Sequence, residues 1–275
     1  MQANTPPRRR RRLTRRGLVA VVVIGTMAMA TAVVVLILRG EHKPRASLVI
    51  PEGWRAGQVY AAVDRALGLP PGATKKSLAK ARLRLPRDAR GNPEGYLFPA
   101  TYPVDGTSTP QSLLRYMVDT ANKRLGLRAI AAGPQRRAMS LHQAVTVASI
   151  VQSEAATEAD MGKVARVIFN RLERGMPLQM DSTLNYAMNR FTLTTTRDDT
   201  EIDSPYNSYR HRGLPPTPIA NPGEDAMRAA LNPTPGDWLY FVTVKPGDTR
   251  FTASYDEQQR NVAEFNRLRG GPASP

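Results

Sequence analysis

Gly17 to Leu38, GLVAVVVIGTMAMATAVVVLIL, runs for 22 residues without a charge. A segment so long and apolar has few places to go: as a helix rising about 1.5 Å per residue it matches a hydrocarbon core of about 30 Å. Arg8 to Arg12, Arg15 and Arg16 precede it, with no acidic residue among them. The flank that follows is weaker and mixed: Arg39, Glu41, His42 and Lys43. The positive-inside rule then predicts a basic cytoplasmic tail over 1–16, a transmembrane helix over 17–38 and an extracytoplasmic remainder, a single-pass protein of the cell membrane. The alternative is a cleaved signal. TRRGLVA, Thr14 to Ala20, loosely resembles a twin-arginine signal, and Ala28 and Ala30 offer a cleavage site. The run continues through VVVLIL, longer than a usual signal core, and this favours a retained anchor.

Placed outside, the rest of the chain meets particular partners. Net charge is +16, and removing the seven leading arginines leaves +9 for residues 17–275. A basic outer domain faces anionic headgroups and acidic wall polymers, not nucleic acid, although most single Lys and Arg residues simply form a solvated surface. There is no cysteine, which excludes disulfides, thiolate metal sites and cysteine nucleophiles. The length suits one or two modest domains.

Ser47 to Gly53, SLVIPEG, reads as a short strand ending in a turn. Val59, Ala62, Val63, Ala66 and Leu67 follow at helical spacing until PPG at 70–72, after which Thr74 is placed to cap a second, basic helix. This small module leans on a neighbour, because so short a segment buries little core alone. Glu94 to Val104 is strand-like, but Pro99 and Pro103 keep it off a central strand. Helices are predicted over 110–130, over 140–155 with Ser140 and Gln143 as a capping box, over 159–174 with Gly175 as the stop, and over 255–268. Residues 204–223 form a long irregular loop of the kind that carries function. Residues 238–244 read as a strand.

On the 140–155 helix, an apolar stripe runs through Leu141, Ala144, Val145, Ala148, Val151 and Ala155. Glu154 sits at the edge of that stripe. Desolvation there raises a carboxyl's pKa, and a carboxyl protonated near neutral pH serves as a general acid. The plain alternative is a surface Glu, or a buried partner for Arg166 or Arg171.

An ordered series of stretches bears on this choice: IPEG, EGYLFPATY, ASIVQSEA, VARVIFNRLERGMPLQMDST, SPYNSY, GLPPTPIANPG and LYFV. In this order, over roughly residues 46–265, the chain resembles the MltG (YceG-like) family of membrane-anchored endolytic transglycosylases of peptidoglycan. The resemblance implies a small LysM-like module, 46–92, followed by an α+β catalytic domain, 93–269. It carries the family's catalytic glutamate onto Glu154. It also implies partners: peptidoglycan glycan strands, the membrane, and penicillin-binding proteins or other wall synthases, with no cofactor and no metal. Some positions depart from the family. An acidic residue is frequent two positions before the catalytic Glu, where Gln152 stands here. Histidines near the C-terminus are replaced at about Thr249 and at Gln258, and His142 and His211 do not stand in for them.

A lytic transglycosylase needs one carboxyl, since the substrate's own O6 hydroxyl is the nucleophile and orientation replaces an activated water. A hydrolase usually needs two. Residues suited to holding glycan are Glu94, Gln179, Asp181, Tyr206, Asn207 and Tyr209: aromatic rings stack on sugar faces, and amides pair with hydroxyl and acetamido groups. Asp181 also reads as a helix N-cap, and Glu94 as a turn residue. Two rival functions stay open, a wall-binding scaffold in which Glu154 is structural, and a two-carboxylate muramidase pairing Glu154 with Asp181 or Glu94.

Overall fold

A computed structural model describes residues 46–124, 139–191 and 195–269. The tail expected over 1–16, the span over 17–38 and the end of the 110–130 helix lie outside the described residues. Among those described, no helix is long and apolar enough to cross a membrane. The described chain is α+β, with helices and two separate two-stranded antiparallel sheets.

The first sheet closes a small strand–helix–helix–strand unit. Strand β1 (Ala46–Val49) pairs with β2 (Thr101–Val104), Leu48 opposite Tyr102. Leu48, Tyr102 and Val104 face inward, while Ser47, Thr101 and Pro103 face out. The alternation is that of a sheet with one buried face, and Pro103 is tolerated because each strand has a free edge. Strand β2 lies beyond residue 92, the bound expected for the small module. Helices α1 (Ala56–Ala66) and α2 (Ala73–Ala81) lie between the strands.

The cap expected from Thr74 is supplied differently. Gly72, at φ +85°, occupies the cap position of α2 with no side-chain cap. The carboxylate of Asp64, buried on α1, accepts hydrogen bonds from Gly72 N, Thr74 N and Thr74 Oγ1 at 2.7, 2.8 and 2.6 Å. Burial pushes this carboxyl up, but the donors at Thr74 and Gly72 outweigh burial and hold it below the usual aspartate range. A lowered pKa stabilises the fold fully above about pH 4, and the contribution fades as pH falls through the folded value. Asp64→Ala is expected to cost about 1–2 kcal/mol at neutral pH, read by urea unfolding, with a smaller difference from wild type in acid. Equal loss at both pH values would contradict this account.

Helix α3 (Pro110–Arg124) packs on α2. The centre of the molecule is α4 (Leu141–Glu154). Its start is the expected capping box: Ser140 Oγ accepts from Gln143 N, and Gln143 Oε1 accepts from Ser140 N. Its burial exceeds the predicted stripe. Thr146, Val147, Ser149 and Ile150 are buried too, because α5 (Glu158–Glu173), α6 (Asp181–Ala187) and α7 (Glu224–Leu231) surround it. Helices apolar on every side belong in such central positions. The two hydroxyls are satisfied locally, Thr146 donating to His142 O and Ser149 to Thr146 O. Strand β3 (Tyr240–Lys245) pairs with β4 (Asp248–Thr252), and α8 (Tyr255–Leu268) covers that hairpin.

One glycine is required by close approach. Gly95 has φ +87°, and a Cβ there would lie 2.6 Å from Pro218 and 2.8 Å from Val145. The EGY turn, the central helix and the 213–223 loop therefore meet where only a hydrogen fits.

Candidate active site

Glu154 is the last residue of α4, and α6 begins beside it. Ser182 N, in the first turn of α6, donates to Glu154 Oε1 at 3.0 Å. That amide has no partner within its own helix, so the contact satisfies a donor the helix leaves free. Glu154 is half-buried and lines an open cavity of about 370 Å³ with Arg55, Asp181, Ser182, Asn185 and Phe191. Burial raises its pKa; hydrogen bonding from Ser182 works against this, and neighbouring Asp181 adds to it.

The structural alternative for Glu154 named Arg166 and Arg171 as partners, and neither takes that part. Arg166 donates to the carbonyls of Thr234 and Pro233. Arg171 donates to the carbonyls of Leu239, Pro177 and Leu178 and to Gln179 Oε1.

Asp181 shares the Glu154 cavity. It is the first residue of α6, not a side-chain cap, and its Oδ1 accepts from Tyr209 OH at 2.6 Å. Burial, then the nearby Asp181 carboxylate, keeps the Tyr209 phenol protonated well above its ordinary range, so it remains a donor. Gln179 is exposed with φ +50°, and its N–H donates to Ser208 O. Asn207 is buried within its own loop: Nδ2 donates to Thr200 O and Ile202 O, and Oδ1 accepts from Tyr209 N. Tyr206 packs its ring on Tyr186 and shares a hydrogen bond with Thr217 Oγ1. Asn207 and Tyr206 thus shape the 204–223 loop and line neither the Glu154 cavity nor the one beside it.

Glu94 is no surface turn residue. It is 4% exposed and lines a neighbouring cavity of about 590 Å³ with Gln58, Ala61 and Tyr186. The two cavities share Arg55 and Phe191. The Arg55 guanidinium lies over the rings of Tyr186 and Phe191, 5.2 and 4.3 Å from their centroids, and donates to Arg190 O. A wall of this kind combines apolar faces with a cation.

Several participants escape a reading of local pattern. Arg55 and Phe191 come from distant segments. Ser208 stitches the SPYNSY loop to α6 through Met180 N and Thr183 Oγ1; a small serine among aromatics gave no sign of this. Gln152, standing where an acidic residue is frequent in the family, accepts from Gly223 N through Oε1 at 2.9 Å. Thr249 bonds Asp160, and Gln258 bonds Phe241 O, both away from the Glu154 cavity lining. His142 lies against Tyr96, Nδ1 2.9 Å from Tyr96 OH and Nε2 3.2 Å from Pro216 O. A carbonyl only accepts, so Nε2 carries a proton, and His142 serves as a brace inside the fold.

The site is thus an acidic side chain at the end of a buried helix, opening on a polar cleft with an aromatic wall on an α+β scaffold. Residues 24–264 match the YceG-like family, and the chain belongs to it. It is 39% identical over 173 residues to the endolytic murein transglycosylase of Bacillus subtilis, covering 62% of this chain and 48% of that one. It is 37% identical over 182 residues to the protein of the same name in Streptococcus pneumoniae, covering 64% of this chain and 33% of that one. The chain thus spans about half or less of the length of these curated relatives. The crystal structure of a YceG-like protein from Listeria monocytogenes superposes with a TM-score of 0.66 at 32% identity, over 78% of this chain and 75% of that one.

Proposed function

We propose that the protein is an endolytic murein transglycosylase that cleaves the MurNAc–GlcNAc bond and leaves 1,6-anhydroMurNAc ends. The observation that carries this reading is Glu154: a carboxyl raised by burial, held by one amide, lining an open cleft. Protonated Glu154 donates to the glycosidic oxygen as the C1–O bond breaks. The carboxylate left behind takes the proton from O6 as O6 closes on C1. One group acts in turn as acid and base, and the intramolecular nucleophile needs only orientation. The names of the relatives, and the family, support this activity.

Two further parts belong to the proposal. The strand–helix–helix–strand unit, with its antiparallel pair, serves as the LysM-like module, holding glycan near the catalytic domain that follows. Residues 17–38 anchor the protein with 1–16 in the cytoplasm, a placement supported by the arginine block and the uncharged run. Glycan strands are the substrate, and the enzyme ends nascent strands beside penicillin-binding proteins or other wall synthases.

Asp181, in the same cavity, favours one competing reading, the two-carboxylate muramidase. Digestion of purified peptidoglycan by the full chain, followed by mass spectrometry, separates the two. Anhydro ends are expected. Reducing ends would establish the hydrolase, and intact glycan would leave a binding scaffold.

A further inference from the structure

Glu94 gathers donors from segments far apart in the chain. Ala56 N, in the first turn of α1, donates to Oε1 at 2.9 Å. Tyr186 OH, on α6, donates to Oε2 at 3.2 Å. Asn221 Nδ2, from the 213–223 loop, reaches Oε1 at 3.5 Å and also donates to Trp54 O. Asn221 Oδ1 in turn accepts from Leu97 N, three residues past Glu94. One buried carboxyl therefore joins the small module, the 213–223 loop and α6. Helix α6 is short, and its first turn supplies the Ser182 amide that holds Glu154. A shift of α6 moves that amide.

We infer that Glu94 is a positioning residue: through Tyr186 and Ala56 it fastens α6 to the small module, and so keeps the Ser182 amide on the Glu154 carboxyl. The catalytic part of this inference rests on the transglycosylase reading. The geometric part does not. Charged and titratable groups that face Glu94 are Arg55 and Tyr60 on the α1 side and Tyr186 on α6. Burial, against the pull of those donors and Arg55, pushes the Glu94 carboxyl up to about 7. The ionised carboxylate is the stronger acceptor for Tyr186 OH and Ala56 N–H, so the brace tightens as pH rises through that value.

The test uses the full chain and two readouts. Hydrogen exchange at the Ser182 amide needs no substrate, and that amide's protection reports its bond to Glu154. Glu94→Ala is expected to speed this exchange at least tenfold. Turnover on peptidoglycan gives the second readout: kcat falls about tenfold to a hundredfold, the scale of an ångström of misplacement, while KM stays within about twofold. Glu94→Gln keeps a carbonyl acceptor for Ala56 and is expected to restore both readouts to within about threefold of wild type. If Glu94→Ala fails to fold, Tyr186→Phe carries the test, with the same two effects in smaller degree. Unchanged Ser182 exchange overturns the inference, whatever the activity. So does a raised KM at unchanged kcat, which marks a substrate contact, or a lowered Tm with kcat unchanged well below the transition. Absence of cleavage by wild type sinks the transglycosylase reading alone, and Ser182 exchange still decides the geometry.

Discussion

Glu154→Gln is expected to lower the rate of anhydro-end formation by about 10²–10⁴-fold, the usual scale for losing a general acid–base group, with no fall in Tm. The amide keeps an oxygen for Ser182 N and removes only the proton to be donated. Stability is spared because Arg166 and Arg171 are committed to carbonyls, so no cation loses a partner. The pH sign agrees. A carboxyl raised by burial binds its proton more tightly folded than unfolded, so the wild type loses stability as pH rises from the unfolded value through the folded one. Gln does not titrate, and above that window the variant is as stable as wild type or more so. Catalysis moves in the same direction, since wild-type turnover declines as pH climbs past the raised pKa and the acid empties. Turnover and thermal unfolding, measured on the same preparation, decide the matter. Near-normal turnover with a lowered Tm would remove Glu154 from catalysis. Asp181→Asn is the companion: if it abolishes cleavage and wild type releases reducing ends, the two-carboxylate mechanism holds.

What the sequence shows of this molecule is mostly local. Ser140 and Gln143 announce the start of α4 because a capping box lies within four residues. Gly175, at φ +62°, ends α5 by the left-handed turn that glycine allows. Features that depend on distant partners were hidden. Strand β4, DTRFT, lacks an apolar alternation and exists because β3 pairs with it. Helix α7 follows the long loop without a polar side-chain cap, Gly223 standing at its start. Asp64 reads as an ordinary charge on an amphipathic helix until α2 is folded back onto it. The site divides the same way. Glu154, Asp181 and Tyr209 were visible as residues, and the structure brings them together through the Ser182 amide and the Tyr209–Asp181 bond. Nothing in the local pattern links Arg55 to Phe191, or Glu94 to Tyr186. Asn207 and Tyr206, of types suited to sugar, also make contacts that hold the loop, which local pattern did not announce.

Arg171 is where the largest loss of stability is expected. The residue is 6% exposed, on the inner face of α5. Its Nε donates to Leu239 O at 2.6 Å, and one terminal nitrogen reaches Pro177 O, Leu178 O and Gln179 Oε1 at 3.2, 2.8 and 3.2 Å. Its guanidinium also lies 5.1 Å from the centre of the Tyr240 ring. One side chain therefore ties α5 to the entry of β3 and to the segment that leads into α6. Arg171→Ala leaves two buried acceptors, Leu239 O and Leu178 O, without this donor, each a desolvation penalty of about 1–3 kcal/mol. A total of about 3 kcal/mol or more follows, which for a chain of this size lowers Tm by about 10 °C. Arg171→Lys is expected to recover little, because a single ammonium on a flexible stem does not span Leu239 and Leu178 as a planar fork does. The damage should extend to turnover even in the folded fraction, since residues 177–180 lead directly to Asp181 and Ser182. Differential scanning calorimetry with activity measured well below the transition tests both parts. A Tm within about 2 °C of wild type would show that water replaces the guanidinium at these carbonyls, and that the α5–β3 joint is held by packing alone.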